Sequence, residues 1–124
     1  MSSAFNEVER RFLTSGVRAL GRIATVGRDG TPHVVPSGWT YNADLDTVDV
    51  TGRDVEQTKK YRDVQRTHRA AIVIDGVSER GSWSPWALEV SGPAEAIAGP
   101  PALIRIRPGR VRSWGLEGAR LKAL

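Results

Sequence analysis

The chain of 124 residues contains no cysteine. Disulfides and thiolate metal sites are therefore excluded, and the composition favours a reducing compartment such as the cytoplasm. No apolar run approaches the roughly 20 residues that a membrane-spanning helix needs. The charged N-terminal sequence MSSAFNEVERRF also lacks the apolar core of a signal peptide. These absences together predict a cytoplasmic protein.

Histidine is scarce, and it occurs only at His33 and His68. Neither has a second histidine or a carboxylate at the spacing of metal ligands. Ser37, Ser84 and Ser91 lack the sequence context of a nucleophilic serine. We therefore expect neither a metal site nor a hydrolytic triad, and the sequence identifies no catalytic residue.

Basic residues outnumber acidic ones, 18 to 14, which gives a formal net charge of +4. Such a balance is compatible with a solvated surface, with nucleic acid, or with a phosphorylated cofactor or acidic substrate. The length fits a single domain over residues 1–124 with a modest core. A cofactor or a second subunit would help to close that core.

Local patterns predict two helices and about six strands. Asn6 and Glu9 form a capping box at the start of an amphipathic helix that ends at Gly16. Asp54 is the candidate N-cap of the second helix, with Gln57 three residues later. Short strands separated by turns predict a mainly β fold, a barrel rather than a layered α/β fold. The predicted strands cover residues 19–27, 31–42, 47–52, 69–75, 86–97 and 102–115, the last being broken by a turn, and the predicted loops include residues 76–86 and 98–101.

The second predicted strand contains the unusual sequence VVPSGW. Pro36 removes a hydrogen-bond donor, Gly38 removes a side chain, and Trp39 adds an aromatic plane. Two interpretations remain open. The strand either leaves bare backbone for a flat ring, or it is an edge strand with a bulge.

The start of the second helix is a candidate anion site. The preceding strand ends at Thr51 and Gly52, and Thr58, Lys59 and Lys60 lie in the first turns of the helix. Free backbone N–H groups and the helix dipole attract anions at such a position, and a hydroxyl with two ammonium groups could hold a phosphate. An ordinary solvated helix face is the alternative.

Two further groups could form ligand or partner surfaces. Trp83, Trp86 and Trp114 occur in predicted loops or strand ends, where large aromatic side chains are typical of interfaces and ligand walls. A basic strand face is formed by arginines that alternate with apolar residues. It is compatible with a solvated face, a dimer contact, a nucleic-acid surface or a site for an acidic cofactor tail. The arginines are Arg105, Arg107, Arg110 and Arg112.

Three segments resemble the pyridoxamine-phosphate-oxidase-like split β-barrel family. GRIATVGRDGTPHVVPSGW, residues 21–39, resembles its opening strands, and TKKYRDVQRTHRAAIVI, residues 58–74, resembles its following helix and strand. IRIRPGRVRSWGL, residues 104–116, resembles the closing strands of the branch that uses the deazaflavin F420 in place of FMN. The resemblance extends from about residue 5 to residue 116.

The resemblance implies a homodimer of six-stranded antiparallel split β-barrels with short flanking helices. Each of two cofactors would lie in a groove between the subunits. Carried over by position, the ring would lie beside Val34, Val35, Pro36, Ser37 and Gly38. The phosphate would be bound by Thr51, Arg53, Thr58, Lys59 and Lys60, and the groove walls would be Trp86 and Trp114, contributed by the partner chain.

The resemblance further implies an F420-dependent reductase without a membrane partner. Reduced F420 would transfer hydride to an electron-poor double bond of a small planar organic substrate. FMN-using oxidases of this group carry an arginine near Val34 and Val35, where this chain is apolar. The alternatives are an FMN-binding oxidoreductase of the same fold, a non-catalytic cofactor carrier, or a basic nucleic-acid-binding barrel, although the family makes nucleic acid an unlikely partner.

Overall fold

The computed structural model describes residues 2–78 and 83–117, so residues 79–82 of the predicted loop 76–86 lie outside the described residues. Within the described residues, neither helix is long and apolar enough to cross a membrane. The elements in chain order are α1 (Glu7–Leu13), β1 (Gly21–Val26), β2 (Pro32–Asn42), β3 (Thr47–Thr51), a 3-10 turn (Val55–Gln57), α2 (Lys59–Thr67), β4 (Arg69–Val77), β5 (Pro85–Ile97), β6 (Leu103–Ile106) and β7 (Arg110–Trp114).

Six strands close into an antiparallel barrel in the order β1, β2, β3, β6, β5, β4. The chain makes two three-stranded meanders, β1–β2–β3 and β4–β5–β6. They are joined where β1 pairs with β4 and where β3 pairs with β6. The prediction of a mainly β, six-stranded barrel with short helices is confirmed. A seventh strand, β7, lies outside the closed barrel and pairs with β5.

Strand β5 changes partners along its length. Residues 85–93 pair with β4, and on the opposite edge residues 87–91 pair with β7 and residues 94–97 with β6. The change of partner occurs at Gly92, where an added Cβ would lie 2.3 Å from the carbonyl oxygen of Arg107. The glycine therefore allows two backbones to meet where β6 leaves β5 and β7 joins it.

Alternation along the strands builds the core. Ile23, Ile72 and Leu88 point inward and are almost fully buried. From α1, Phe12 stacks on Trp39 with ring centroids 6.3 Å apart and meets Trp86 at 5.2 Å. The helix therefore covers apolar rings of two strands, β2 and β5.

The capping box of α1 is confirmed, because Asn6 accepts from the Glu9 N–H and Glu9 accepts from the Asn6 N–H. The predicted cap of the second helix is wrong. Asp54 has a left-handed backbone (φ 51°) and makes no side-chain cap, and a 3-10 turn that buries Val55 follows it. Thr58 caps α2 by accepting from the N–H of Tyr61.

Candidate cofactor-binding site

Strand β2 is paired on different edges in its two halves. Residues 32–37 pair with β1 in continuous register, and residues 38–42 pair with β3, which ends at Thr51 opposite Gly38. Within the described part of the chain, no strand pairs with the second edge of residues 32–37. Both prolines therefore lie where one edge of the sheet is open, which is where proline is tolerated.

The outward side of this half-strand is exposed and mostly apolar. Val34 is 64% exposed, Pro36 and Gly38 are also exposed, and Ser37 and Val35 point inward. A Cβ added at Gly38 would meet nothing closer than the Thr51 Oγ1 at 3.9 Å. The structure thus combines an open backbone edge with space beside Gly38, an arrangement that is compatible with a flat ring lying against the strand.

The chain between β3 and α2 flanks this open edge. It leaves the sheet at Thr51, opposite Gly38, and α2 begins at Lys59, whose ammonium lies 2.9 Å from an ideal Cβ position at Gly27. Gly27 in turn donates to the carbonyl of Thr31 across the β1–β2 turn. The unpaired half of β2 therefore lies between the end of β3 and the start of α2.

Two of the predicted phosphate ligands already have partners within the chain. The Thr58 hydroxyl donates to the carbonyl of Val55 while it caps α2. The Lys59 ammonium donates to both carboxylate oxygens of Asp63, at 2.8 and 3.1 Å. The polar groups of Thr58 and Lys59 therefore already bind other residues of the chain at the start of α2.

Lys60 differs from its neighbours. It is half-buried, and among the described residues its ammonium has no hydrogen bond and no ion pair. Burial lowers the pKa of Lys60, because desolvation disfavours the charged form. Arg53, which is exposed, likewise has no ion pair within the described part of the chain. A bound anion would offset the desolvation of Lys60.

Asp63 was not predicted as a functional residue, and it organises this end of the barrel. Its side chain is 4% exposed and accepts from Thr25 on β1 at 2.8 Å, with the Arg66 guanidinium 3.6 Å away. Burial alone would raise the pKa of Asp63, but the hydrogen bonds from Lys59 and Thr25 and the nearby positive charges lower it. The spacing of four residues between Lys59 and Asp63 was the available sequence signal.

The two predicted tryptophan walls occupy different environments. Trp86 is 8% exposed and lies in the core against Phe12 and Gly76, so it is not a surface wall of its own chain. Trp114 is 51% exposed at the end of β7. Because β5, β4 and β1 separate β7 from β2, a single chain does not bring Trp114 to the open edge of β2.

The predicted basic face is divided between two strands. Arg105 on β6 donates twice to Asp49, at 3.0 and 3.1 Å, and Arg107 after β6 donates to Glu95 at 2.6 Å. Arg110 and Arg112 lie on β7, which pairs with another part of β5. The four arginines therefore do not form one continuous unpaired surface.

An apolar outer face adjoins the open edge of β2. The register places Val34, Ala24 and Ala71 side by side on β2, β1 and β4. Val26, which is 46% exposed, and Pro32 form the next row. A shallow depression of about 610 Å³ lies on this side of the barrel, bordered by arginines on β4 and β7.

Solved structures share this fold at low sequence identity. A conserved hypothetical protein from Mycobacterium tuberculosis is 16% identical with a TM-score of 0.71, and the alignment covers 98% of this chain and 90% of that one. An FAD binding protein from Mycobacterium smegmatis is 17% identical with a TM-score of 0.64, covering 90% of this chain and 96% of that one. At such identities the likeness shows the fold alone.

Sequence comparison gives a nearer relative. A protein of Streptomyces rimosus subsp. rimosus, named 5a,11a-dehydrotetracycline/5a,11a-dehydrooxytetracycline reductase, is 33% identical over 123 residues, covering 92% of this chain and 85% of that protein. The family model described as pyridoxamine 5'-phosphate oxidase matches residues 10–115. The chain therefore belongs to the pyridoxamine 5'-phosphate oxidase family.

Proposed function

We propose that this protein is an F420-dependent reductase that acts on an electron-poor C=C or C=N bond of a planar organic molecule. Family membership and the relative named as a reductase support an oxidoreductase. That relative's name also supports a polycyclic organic substrate. The FAD binding protein among the solved neighbours supports a flavin-type cofactor, a class to which a deazaflavin is structurally close.

The open edge of β2 carries this proposal. Bare backbone from Val34 to Gly38 would lie against the flat ring, and the space beside Gly38 would admit it without a side-chain clash. Thr51 and Lys60, a half-buried residue, belong to the two ends of the segment that flanks this edge, and we expect a phosphate to be held between them. A bound deazaflavin supplies the hydride, and the chain supplies binding and orientation.

FMN is the second candidate cofactor, because it presents the same flat ring and a phosphate. The flavin-binding neighbour favours it. FMN-using oxidases of the group that this chain resembles carry an arginine near Val34 and Val35, and the apolar character of this chain there favours F420 instead. Separate titrations of F420 and FMN into the same protein preparation rank their affinities, and tighter binding of FMN would contradict the F420 assignment.

A homodimer is the assembly that this surface favours. The outer face holding Val26, Val34 and Ala71 leaves apolar side chains in water, and contiguous apolar patches of this kind typically mark interfaces. A second copy would cover the face and close a groove over the edge of β2. Sedimentation should show a dimer at micromolar concentration, and Ala71→Glu should yield a monomer. A wild-type protein that sediments only as a monomer with cofactor present would refute the assembly.

Lys60→Ala tests the cofactor site directly. A charge-assisted hydrogen bond contributes about 1.5–3 kcal/mol, so loss of the ammonium should weaken F420 binding by roughly tenfold to a hundredfold. The effect should shrink at high salt because the side chain is only partly buried.

Two matched variants control for charge and folding. Lys60→Arg keeps a cation and should retain much of the affinity. Arg11→Ala removes a cation of α1 whose side chain is 70% exposed, and it should leave the affinity for F420 unchanged. Equal affinity in wild type and in a folded Lys60→Ala variant would mean that the phosphate lies elsewhere.

A further inference from the structure

A groove separates the second half of β2 from the linker that joins α1 to β1. Residues 38–41 of β2 form one wall, and residues 16–20 of the linker form the other. The indole N–H of Trp39 donates to the carbonyl of Ala19 at 2.7 Å, which holds the linker beside the strand. This space, the linker groove, has a volume of about 550 Å³.

The strand edge that faces the linker groove carries backbone groups without partners. Opposite residues of an antiparallel pair alternate between those that exchange hydrogen bonds and those that do not. Because Gly27 bonds to Thr31, the continuous register with β1 makes the odd-numbered residues of β2 direct their N–H and C=O groups toward β1. However, β1 begins opposite Ser37, so the same groups of Trp39 and Tyr41 have no strand to bond and, among the described residues, no other backbone partner. This edge therefore offers both donors and acceptors to a ligand.

The walls of the linker groove are apolar, and its rim carries a cation. Leu20 is 58% exposed, and Val17 and Trp39 are half-buried. An exposed leucine gains stability when an apolar ligand covers it. Arg18, on the same linker, is exposed and forms no ion pair within the part of the chain that the structure describes. The groove therefore suits a flat apolar body that carries a negative charge.

The linker groove meets the proposed ring site at Gly38. This residue lines the groove, and it also ends the stretch of β2 against which the cofactor ring would lie. A Cβ added at Gly38 would find its nearest contact at 3.9 Å. A molecule in the groove would therefore extend past Gly38 toward the ring with no side chain of this residue between them.

We propose that the linker groove binds the substrate, and that this substrate is a planar polycyclic molecule in which an ionised enol or phenol is conjugated to a carbonyl group. Leu20 would pack on its flat face, and Arg18 would pair with the ionised oxygen. The free edge of Trp39 and Tyr41 would bond the remaining oxygens. This inference rests on the proposed reductase function and names its substrate class. A carbonyl group conjugated to a C=C bond also makes that bond electron-poor, as hydride transfer requires.

Two naphthoquinones of the same ring system test the assignment. Lawsone, a hydroxynaphthoquinone, is ionised at neutral pH, whereas its methyl ether is uncharged. Each is titrated by calorimetry into the cofactor-free protein, and wild type should bind lawsone more tightly. Arg18→Ala should weaken lawsone binding alone, by about fivefold, the size of an exposed ion pair. Leu20→Ser should weaken the binding of both compounds by about fivefold, because it removes an apolar contact that they share.

Matched controls remove the same groups elsewhere. Arg11→Ala removes an exposed cation of α1, and Leu45→Ser replaces a leucine that is 46% exposed in the turn between β2 and β3. Neither residue lines the linker groove, so both variants should bind the two compounds like wild type. Thermal melting verifies that each variant is folded.

The outcomes separate the substrate groove from the reductase function. Failure of wild type to bind lawsone, equal losses for both compounds in Arg18→Ala, or unchanged affinities in Leu20→Ser would overturn the groove. Losses of the same size in the control variants would also overturn it. F420 titrated into the same proteins should bind all of them alike, and failure of wild type to bind F420 would overturn the reductase proposal instead.

Discussion

Replacing Asp63 with asparagine should destabilise the protein at neutral pH. The carboxylate is 4% exposed and joins α2 to β1 through Thr25, while it also receives two hydrogen bonds from Lys59. Asparagine keeps an oxygen for Thr25 but loses the negative charge, and its amide N–H groups would face the two cations. The substitution therefore removes an attraction and adds a mismatch.

The expected cost of Asp63→Asn follows from these contacts. A hydrogen bond to a charged group contributes about 1.5–3 kcal/mol, and the Lys59 side chain, which is 45% exposed, recovers some hydration when released. We expect the free energy of unfolding to fall by about 2 kcal/mol, which corresponds to a Tm lowered by about 8 °C for a domain of this size.

The pH dependence of the free energy of unfolding identifies the cause of this loss. Because the folded-state pKa of Asp63 is lowered, its stabilisation is present above the unfolded pKa of about 3.9 and is lost as the pH falls through the lower folded value. The difference between wild type and variant should therefore be constant near neutrality and shrink below about pH 4. Urea unfolding across this range measures it. Glu95→Gln, whose side chain is 53% exposed, is the control and should cost under about 0.5 kcal/mol. An Asp63→Asn variant as stable as wild type at neutral pH would refute this account.

Three other positions give predictions. Asp46→Asn weakens the acceptor of hydrogen bonds from the hydroxyls of Tyr41 at 2.6 Å and Ser3 at 2.7 Å, so the free energy of unfolding should fall by about 1 kcal/mol. Since the pKa of Asp46 is lowered, that cost should also fade below about pH 4, and a pH-independent cost would contradict it. Gly92→Ala places a Cβ 2.3 Å from a backbone oxygen and should lower the free energy of unfolding by more than about 2 kcal/mol. The added methyl group of Gly38→Ala meets open space, so this variant should melt within about 2 °C of wild type and yet bind the cofactor more weakly. Similar melting temperatures of the two glycine variants would show that Gly92 is not tightly packed.

Elements set by neighbouring residues could be predicted from the sequence. The Asn6–Glu9 box and the hairpin turn at Asp29 and Gly30 depend on contacts a few residues apart, and both occur in the structure. The prediction of where α2 starts was wrong because Asp54 and Thr58 are both residue types that can cap a helix. The tertiary burial of Val55 in a 3-10 turn decided between them.

Trp86 shows a pattern that was available and overlooked. It alternates with the apolar residues Leu88 and Val90, and all three point inward. Its position beside a predicted loop suggested a surface wall, but the period of two along β5 places it in the core.

Long-range pairing could not be predicted from local patterns. The end of β3 at Thr51 leaves half of β2 open, a consequence of register rather than of the sequence VVPSGW alone. The arginine-rich segments likewise appear continuous in sequence, although Arg105 meets Asp49 on β3 and Arg112 lies opposite Glu89 on β5.

The junctions between the two meanders bear on how this chain folds. Each meander forms from strands close in sequence, whereas the barrel closes only when Gly21 meets Ile74 and Val48 meets Ile106. Loop-closure entropy must be overcome before these distant pairs form, so we expect closure of the barrel to be the slow, late step of folding. Until then β1, β3, β4 and β6 each present an unsatisfied edge to other chains, and the short junctions of β1 with β4 and of β3 with β6 remove these edges.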